Sequence, residues 1–392
     1  MGEMAASEAS KQKEIEKASI ARGKMAEDSA WEDRIDTAVR DEFLMEEACE
    51  YSYQHLTESE KVWYDNIKDI LASFGTRVLL LDGPMDDGCG EDTIDRIFNC
   101  VMNDHPEFFY VRGYSYTRYS REGQTVGYAF TGNYELTIDE ARTRKTEIET
   151  AAEMMLDNLP ADADQYEKVK YVYETLIKTT EYELDAPDNQ NIYSVLANHR
   201  SVCQGYAKTT QYLLNRLGME CTLVVGTVES GEKHAWNFVK IDGEYYYLDT
   251  TWGDASYLMS EKAEETGWVP EISYDYLNIT SDEIEKTHHA DDREILPVCT
   301  SIAANYHVRS GTYFTDYDTE QLSAVFDSAE AAGRSEVNIK CCDSNTYDRM
   351  FVMLVADRGV FKYLKDREKG ITYIKNDNLF TLTFWMTNSE QM

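Results

Sequence analysis

The sequence predicts an α+β protein made of several structural units. Three observations lead there. Segments with apolar residues at helical spacing gather into blocks, strand-like alternating runs gather into others, and an Asp242-Gly243 dipeptide separates two strand-like runs. With 392 residues, 42% of them hydrophobic, the chain can fill two or three ordinary domains with real apolar cores.

Residues 8–48 are polar with widely spaced apolar positions and are expected to be helical, loosely anchored at first and docked later. LTESEKVWYDNIKDILASF (56–74) predicts an amphipathic helix with Val62, Ile67, Ile70 and Leu71 on one face. TIDRIFNCVMNDHPE (93–107) repeats that pattern until His105-Pro106 stops it. FFYVRGYSYTRY and QTVGYAFTGNYEL then alternate as strands, with Arg121-Glu122-Gly123 as the turn. Helices are expected over IDEARTRKTEIETAAEMMLDNL and, past Pro160, DQYEKVKYVYETLIKTT, and EYELDAPDNQN reads as a loop. Beyond about residue 290, SAVFDSAEAAG reads as helix, and EVNIKCC, FVMLVA, ITYIK and LFTLTFWM read as strands. No internal repeat or low-complexity segment stands out.

Thirty-eight basic against 73 acidic side chains give a formal charge of −35. Nucleic acid and anionic membranes are therefore disfavoured as partners, since phosphate binding needs a basic face. The longest apolar runs, such as MFVMLVA at 350–356, fall short of the ~18 residues of a membrane helix. The N-terminus lacks the basic-then-apolar layout of a signal peptide. The expected location is cytoplasmic, or extracellular or at the cell surface if a signal has been removed. Eight cysteines are scattered without a CxxC pair, so neither a disulfide-built mini-domain nor a zinc knuckle is expected, and no bridge is expected between Cys341 and Cys342.

The most informative stretch is SVCQGYAK (201–208), followed by TTQYLLNRLG. Ser201 and Gln204 fit an S-x-x-Q capping box, and Tyr206, Thr210, Leu213, Leu214 and Leu217 recur at helical steps before Gly218. Cys203 then lies in the first helical turn, where free N–H groups and the positive dipole end favour a thiolate and suit a developing oxyanion. The alternative is a small buried hydrophobe. Downstream, HAWNFVKI and EYYYLDTTWGD flank Asp242-Gly243. If those two residues form the loop, Ile241 faces Glu244 and Asp249 faces Trp236. His234 and Asp249 become diagonal neighbours, about 7–8 Å apart at Cα. A carboxylate there fixes the imidazole tautomer, provided the register does not slip by one residue.

SVCQGYAKTTQYLLNRLG, then KHAWNFVKIDGEYYYLDTTWGD, resemble in content and order the transglutaminase-like superfamily over roughly 165–255. The resemblance implies a papain/transglutaminase-like α+β core, a Cys helix packed on an antiparallel sheet. It implies Cys203 as nucleophile, His234 as general base and acid and Asp249 as orienting carboxylate. The papain-type oxyanion Gln is missing, since Ala197 and Asn198 stand there. The Cys203 amide remains, with Gln190, Tyr193, Gln204, Trp236 and Tyr182 as oxyanion or substrate candidates.

The expected organisation is a polar helical segment at 1–48, an N-terminal α+β domain at 49–145, the transglutaminase-like core at 146–290 and a C-terminal α+β domain at 291–392. The expected function is a thiol acyl-transfer enzyme, a cysteine peptidase or amidase acting on protein or peptide amides, without metal or organic cofactor. Hydrolysis is preferred because nothing in the sequence marks an acceptor-amine site. The alternatives are a protein cross-linking transglutaminase and a non-catalytic binding or scaffold protein on the same fold. THHADD (287–292) is expected to be a solvated turn rather than a metal site, and DDGCGED (86–92) a turn rather than a calcium loop. Asn278-Ile279-Thr280 is a formal glycosylation sequon. Trp236 and Trp252 either line a cleft or pack behind the hairpin.

Overall fold

The computed structural model describes residues 35–46, 48–85, 90–254, 271–365 and 370–387. The helix expected over 8–48 lies largely outside these, as do residues 86–89 of DDGCGED; within them, α1 (Thr37–Phe43) starts at its N-cap Asp36. Helices α2 (Tyr51–Gln54), α3 (Glu58–Ala72) and α4 (Glu91–Asp104) surround a three-stranded antiparallel sheet. Its strands are β1 (Val78–Leu80), β2 (Val111–Arg121) and β3 (Gln124–Tyr134), in the order β1-β3-β2. A reciprocal capping box between Thr57 and Glu60 starts α3. Its inward face differs from expectation: Val62 is exposed, and Trp63 and Tyr64 are buried beside Ile67, Ile70 and Leu71. Between β2 and β3 only Glu122 and Gly123 turn, both at positive φ.

Helices α5 (Ile138–Leu156) and α6 (Gln165–Thr179) follow, each begun by a capping box, at Thr137–Glu140 and Asp164–Glu167. The expected loop after α6 holds a short strand, β4 (Glu181–Tyr182), which pairs in parallel with β5 (Arg200–Ser201) across α7 (Ile192–Leu196). Then comes α8 (Cys203–Arg216), packed on a five-stranded antiparallel sheet. That sheet contains β6 (Cys221–Val228), β7 (Lys233–Ile241), β8 (Glu244–Leu248), β9 (Leu277–Ile279) and β10 (His288–Ala290), ordered β10-β6-β7-β8-β9. Helix α9 (Thr250–Gly253) leaves the end of β8. A Cys helix against an antiparallel sheet is the α+β core expected of a transglutaminase-like fold.

The final block is a four-stranded sheet of β11 (Tyr313–Phe314), β12 (Glu336–Cys341), β13 (Gly370–Asn376) and β14 (Thr381–Thr387), ordered β11-β12-β14-β13. It packs with α10 (Thr319–Ala331) and α11 (Ser344–Phe351) around its own apolar cluster. FVMLVA is not the expected strand: Phe351 ends α11 and Val352–Ala356 continue as a wider helical turn. Asp343 caps α11 by accepting from the Thr346 N–H, and Met350 and Leu354 point inward one turn apart while Val352 is exposed. A short apolar run has no period of its own, and the cap upstream decides it. The block is tied to the core through Asp275, which accepts from Asn376 Nδ2 (2.9 Å) and Thr381 Oγ1 (2.8 Å), and through the buried Lys340–Glu283 pair (2.8 Å).

Ahead of this block, one continuous apolar cluster runs from Val39 to Ala304, so helices α3 and α4 pack in the same interior as α6 and α8. Two side-chain amides fix α8 from either side. Gln211 Nε2 donates to the Asn103 carbonyl of α4 (2.7 Å), and Asn237 Nδ2 donates from β7 to the carbonyls of Ala207 (3.0 Å) and Thr222 (3.3 Å). Asn237 is fully buried, so its loss leaves two carbonyls short of a donor inside the protein. Asn237→Ala is expected to lower folding stability by about 1–3 kcal/mol, measured by urea denaturation; an unchanged midpoint would remove Asn237 as the link between helix and sheet.

Candidate active site

The chain enters α8 by a different route from the expected capping box. Val202 is the N-cap residue and supplies no side-chain hydrogen bond. Ser201 is buried, its hydroxyl donating to the Asn189 carbonyl (2.7 Å) and lying 2.7 Å from Ser194 Oγ. β5 pairing with β4 therefore sets the entry, and the S-x-x-Q spacing is coincidental. Gly205 permits it: a Cβ there would lie 1.9 Å from Ser201 Oγ. Cys203 is thus the first helical residue, and the N–H groups of Cys203 and Gln204 have no acceptor within the helix. Its thiol is partly buried against Ala207, Leu223, Val225 and Ala235. Tyr206, one turn on, donates its hydroxyl to the Thr180 carbonyl (2.9 Å) and anchors the helix start.

The hairpin forms in the expected register, with Ile241 opposite Glu244 and Asn237 opposite Leu248. Past Leu248 the chain turns into α9, and Asp249 is its N-cap residue. One carboxylate oxygen, Oδ1, accepts from the backbone of Thr251 (2.8 Å) and Trp252 (3.1 Å). The other, Oδ2, accepts from His234 Nε2 at 2.7 Å. Asp249 is fully buried and His234 nearly so. Burial alone would push the Asp249 carboxyl up, but the His234 charge and the hydrogen bonds of His234 and His288 outweigh it and hold it well below the ordinary carboxylate range. Burial likewise disfavours a charged His234 ring. Asp249, and after it the Cys203 thiol, overcome this and hold the ring well above the usual histidine value. With Nε2–H directed at Asp249, Nδ1 is the nitrogen left for the sulfur.

The sequence did not single out the fourth member of this group. His288 belongs to β10, not to a solvated turn, and its ring is buried. Its Nε2 donates to the same Asp249 Oδ2 at 3.0 Å, while Nδ1 lies 2.8 Å from Thr287 Oγ1. Burial lowers its pKa more than Asp249 raises it, so it stands as the neutral Nε2–H tautomer with the Thr287 hydroxyl donating to Nδ1. The clue was alternation: His288 is inward and His289 outward, the signature of a short strand. Gly226 admits that strand, since a Cβ there would lie 2.2 Å from the His289 carbonyl oxygen.

His234, Asp249 and His288 are also the one group of potential metal ligands among the described residues. Both imidazoles donate a proton to the carboxylate oxygen that an ion would need, so binding would have to displace both N–H groups. Of the other candidates, Gln190 and Gln204 line one cleft. The Tyr193 hydroxyl donates to Glu147 Oε2 (2.7 Å) under the Arg144 guanidinium, on the outer face of α5. Trp236 is buried behind the site, its ring stacked 6.1 Å from His234, and Trp252 packs 4.5 Å from His288. The sequon's Asn278 is fully buried and donates to the Ala304 carbonyl (3.0 Å).

Residues 153–250 match the family described as Transglutaminase-like superfamily. Kyphoscoliosis peptidase of Mus musculus is 26% identical over 117 residues, covering 26% of this chain and 18% of the relative. The same peptidase of Homo sapiens gives the same figures, so the match spans under a fifth of either relative's length. Among solved structures, one described as a TGase is 18% identical, covering 35% of this chain and 44% of the other at a TM-score of 0.26. One from Cytophaga hutchinsonii, described as a candidate cysteine protease, is 13% identical, covering 36% of this chain and 66% of the other at a TM-score of 0.24.

The Asp249–His234 pair predicts two titrations. Nitrogen-15 spectra at neutral pH are expected to show His234 with both ring nitrogens protonated and His288 with Nε2–H alone, and Asp249→Asn should return His234 toward about 6.5. The stability from the raised His234 is complete below that value and fades as pH rises toward its folded pKa. The stability from the depressed Asp249 is complete above about 3.9 and is lost in acid. The pair's contribution is therefore fullest between those two values, and a neutral His234 at pH 6 would contradict it.

Proposed function

Because the segment 153–250 belongs to the transglutaminase-like superfamily, we propose that the chain is a thiol-dependent acyl-transfer enzyme that cleaves amide bonds of proteins or peptides. The observation that carries this reading is the linked arrangement of a helix-start thiol, an imidazole within its reach and a buried carboxylate on the far nitrogen of that ring. In this proposal Cys203 is the nucleophile, His234 the proton carrier and Asp249 the group that holds the ring in its tautomer.

The chemistry runs in two halves. The Cys203 thiolate adds to the amide carbonyl carbon, and the electron pair of the C=O bond moves onto oxygen. The Cys203 N–H is placed to donate to that oxyanion, and Gln204, free of the capping role the sequence assigned it, offers a second donor from its side chain. His234 Nδ1–H gives its proton to the departing nitrogen, the C–N bond breaks, and an amine leaves a thioester behind. His234, now neutral, takes a proton from water as its oxygen attacks the thioester, and the thiolate departs to restore the ion pair. An amine in place of water would turn the second half into cross-linking.

Iodoacetamide is expected to alkylate Cys203 faster than the other cysteines of the chain, and His234→Ala should remove that advantage. Cys203 reacting as an ordinary thiol at every pH, with no response to His234→Ala, would sink the proposal. On a substrate found by comparing new protein termini against Cys203→Ala, Asp249→Ala is expected to lower kcat by about 10²–10⁴. Undiminished turnover in Asp249→Ala would leave the carboxylate a purely architectural group.

A further inference from the structure

Between α4 and the start of β2 on one side and α8 and β6 on the other lies a cleft of about 750 Å³. That is room for several residues of a bound peptide. Cys203 itself does not line it, but Gln204, the next residue, and Val225, which packs on the same apolar cluster as Cys203, do. One turn along α8 from Gln204, on the same helix face, Lys208 also lines it.

Lys208 is only 9% exposed and has no ion pair or hydrogen bond among the described residues. The other cations of the cleft are already matched. Arg96 pairs with Glu60, Arg112 with Glu135 (3.7 Å), and Arg293 with Asp95 (2.9 Å) and Asp291 (3.1 Å). Burial alone pushes the Lys208 ammonium down to about 8, so it still carries its charge at neutral pH. A buried ammonium without a counter-charge opposes folding, and such a group persists where something outside the resting protein neutralises it. One unmatched positive charge calls for one negative charge. With the arginines of the cleft taken by carboxylates, nothing beside Lys208 is left to match the further charge of a phosphate.

We infer that Lys208 is an anion-recognising subsite that receives a carboxylate of the peptide whose amide lies at Cys203. The identification of that peptide as a substrate rests on the reading of Cys203 given above; the recognition of a carboxylate by Lys208 does not. Lys208 lies five residues beyond Cys203, about 7.5 Å along the helix axis and about 140° around it. An extended chain rises about 3.3 Å per residue, so passing from the thiol around the helix to the ammonium takes more than the two residues that the axial rise alone would need. The proposed subsite therefore selects peptides with an Asp or Glu side chain, or a terminal carboxylate, a few positions from the reacting amide.

The test uses the Cys203→Ala protein and short dye-labelled peptides read by fluorescence anisotropy. One set is C-terminally amidated with Asp or Glu at successive distances from a central amide, a second replaces each acid by Asn or Gln, and a third is neutral but for a free C-terminus. The expected result is about tenfold tighter binding of an acidic set over its amide counterpart, with the first and third sets distinguishing a side-chain from a terminal carboxylate. Adding Lys208→Met or Lys208→Gln should abolish that preference, and removal of an unmatched buried charge should raise Tm by about 2 °C. Equal binding of acidic and amide peptides, binding of neither, a preference that survives both Lys208 variants, or a fall in Tm in both would overturn the inference. Iodoacetamide labelling of the unmodified protein is read separately. Fast alkylation without acid preference removes the subsite alone, and slow alkylation with acid preference removes the nucleophile alone.

Discussion

One buried carboxylate organises the centre of this protein. Asp249 takes four hydrogen bonds, two from the backbone of α9 and two from imidazoles on β7 and β10. A buried anion is tolerated only when its lone pairs are matched, and here the donors come from three separate elements. Each element is consequently fixed with respect to the others. α9 cannot unwind without exposing one oxygen's partners, and β10 cannot leave the sheet without taking a donor from the other oxygen. The roles of the flanking motif residues follow. Asn237 holds β7 to α8, Tyr206 holds α8 to the end of α6, and Thr210 meets Thr250 at 3.1 Å where α8 crosses α9.

The same electrostatic logic separates two positions on the Cys helix. At its start, the thiol faces an imidazole whose charge is stabilised from behind by Asp249. One turn in, an ammonium faces the cleft with nothing opposite it. A chain with a formal charge of −35 repels anionic ligands over most of its surface. An acidic ligand would therefore gain little from general attraction and would depend on a local, desolvated contact. Such contacts confer selectivity because the group left unpaired by the wrong ligand is costly to bury.

The parts of this arrangement that were legible in sequence are those encoded locally. The Asp242-Gly243 turn set the hairpin register as far as Asn237–Leu248, but Asp249 meets His234 from just past the strand's end, as the N-cap of α9, and not as the expected ladder partner of Trp236. Apolar spacing located α3 and α6, and the structure adds at the starts of α3, α5 and α6 capping boxes in which the Thr or Asp and the Glu bond each other across a single turn. The same spacing misled at Ser201, whose hydroxyl is spent on Asn189 and whose backbone is committed to β5. FVMLVA misled because six apolar residues fit either period, and only the Asp343 cap upstream favours a helix. His288 was illegible for another reason. Its partner lies on a distant strand, and neighbouring His and Asp residues mimic the composition of an exposed turn. Lys208 on a helix face is equally silent in sequence, since its isolation depends on how α4 and α8 together wall the cleft.

His288 supplies its donor from β10, an edge strand reached only after β7, β8 and β9 have been laid down in order. During synthesis, Cys203, His234 and Asp249 all leave the ribosome before it does. Until β10 docks on β6, the Asp249 carboxylate lacks a donor and His234 is less firmly held. The hydrogen-bond set of Asp249 is therefore completed last, when the edge strand closes the sheet.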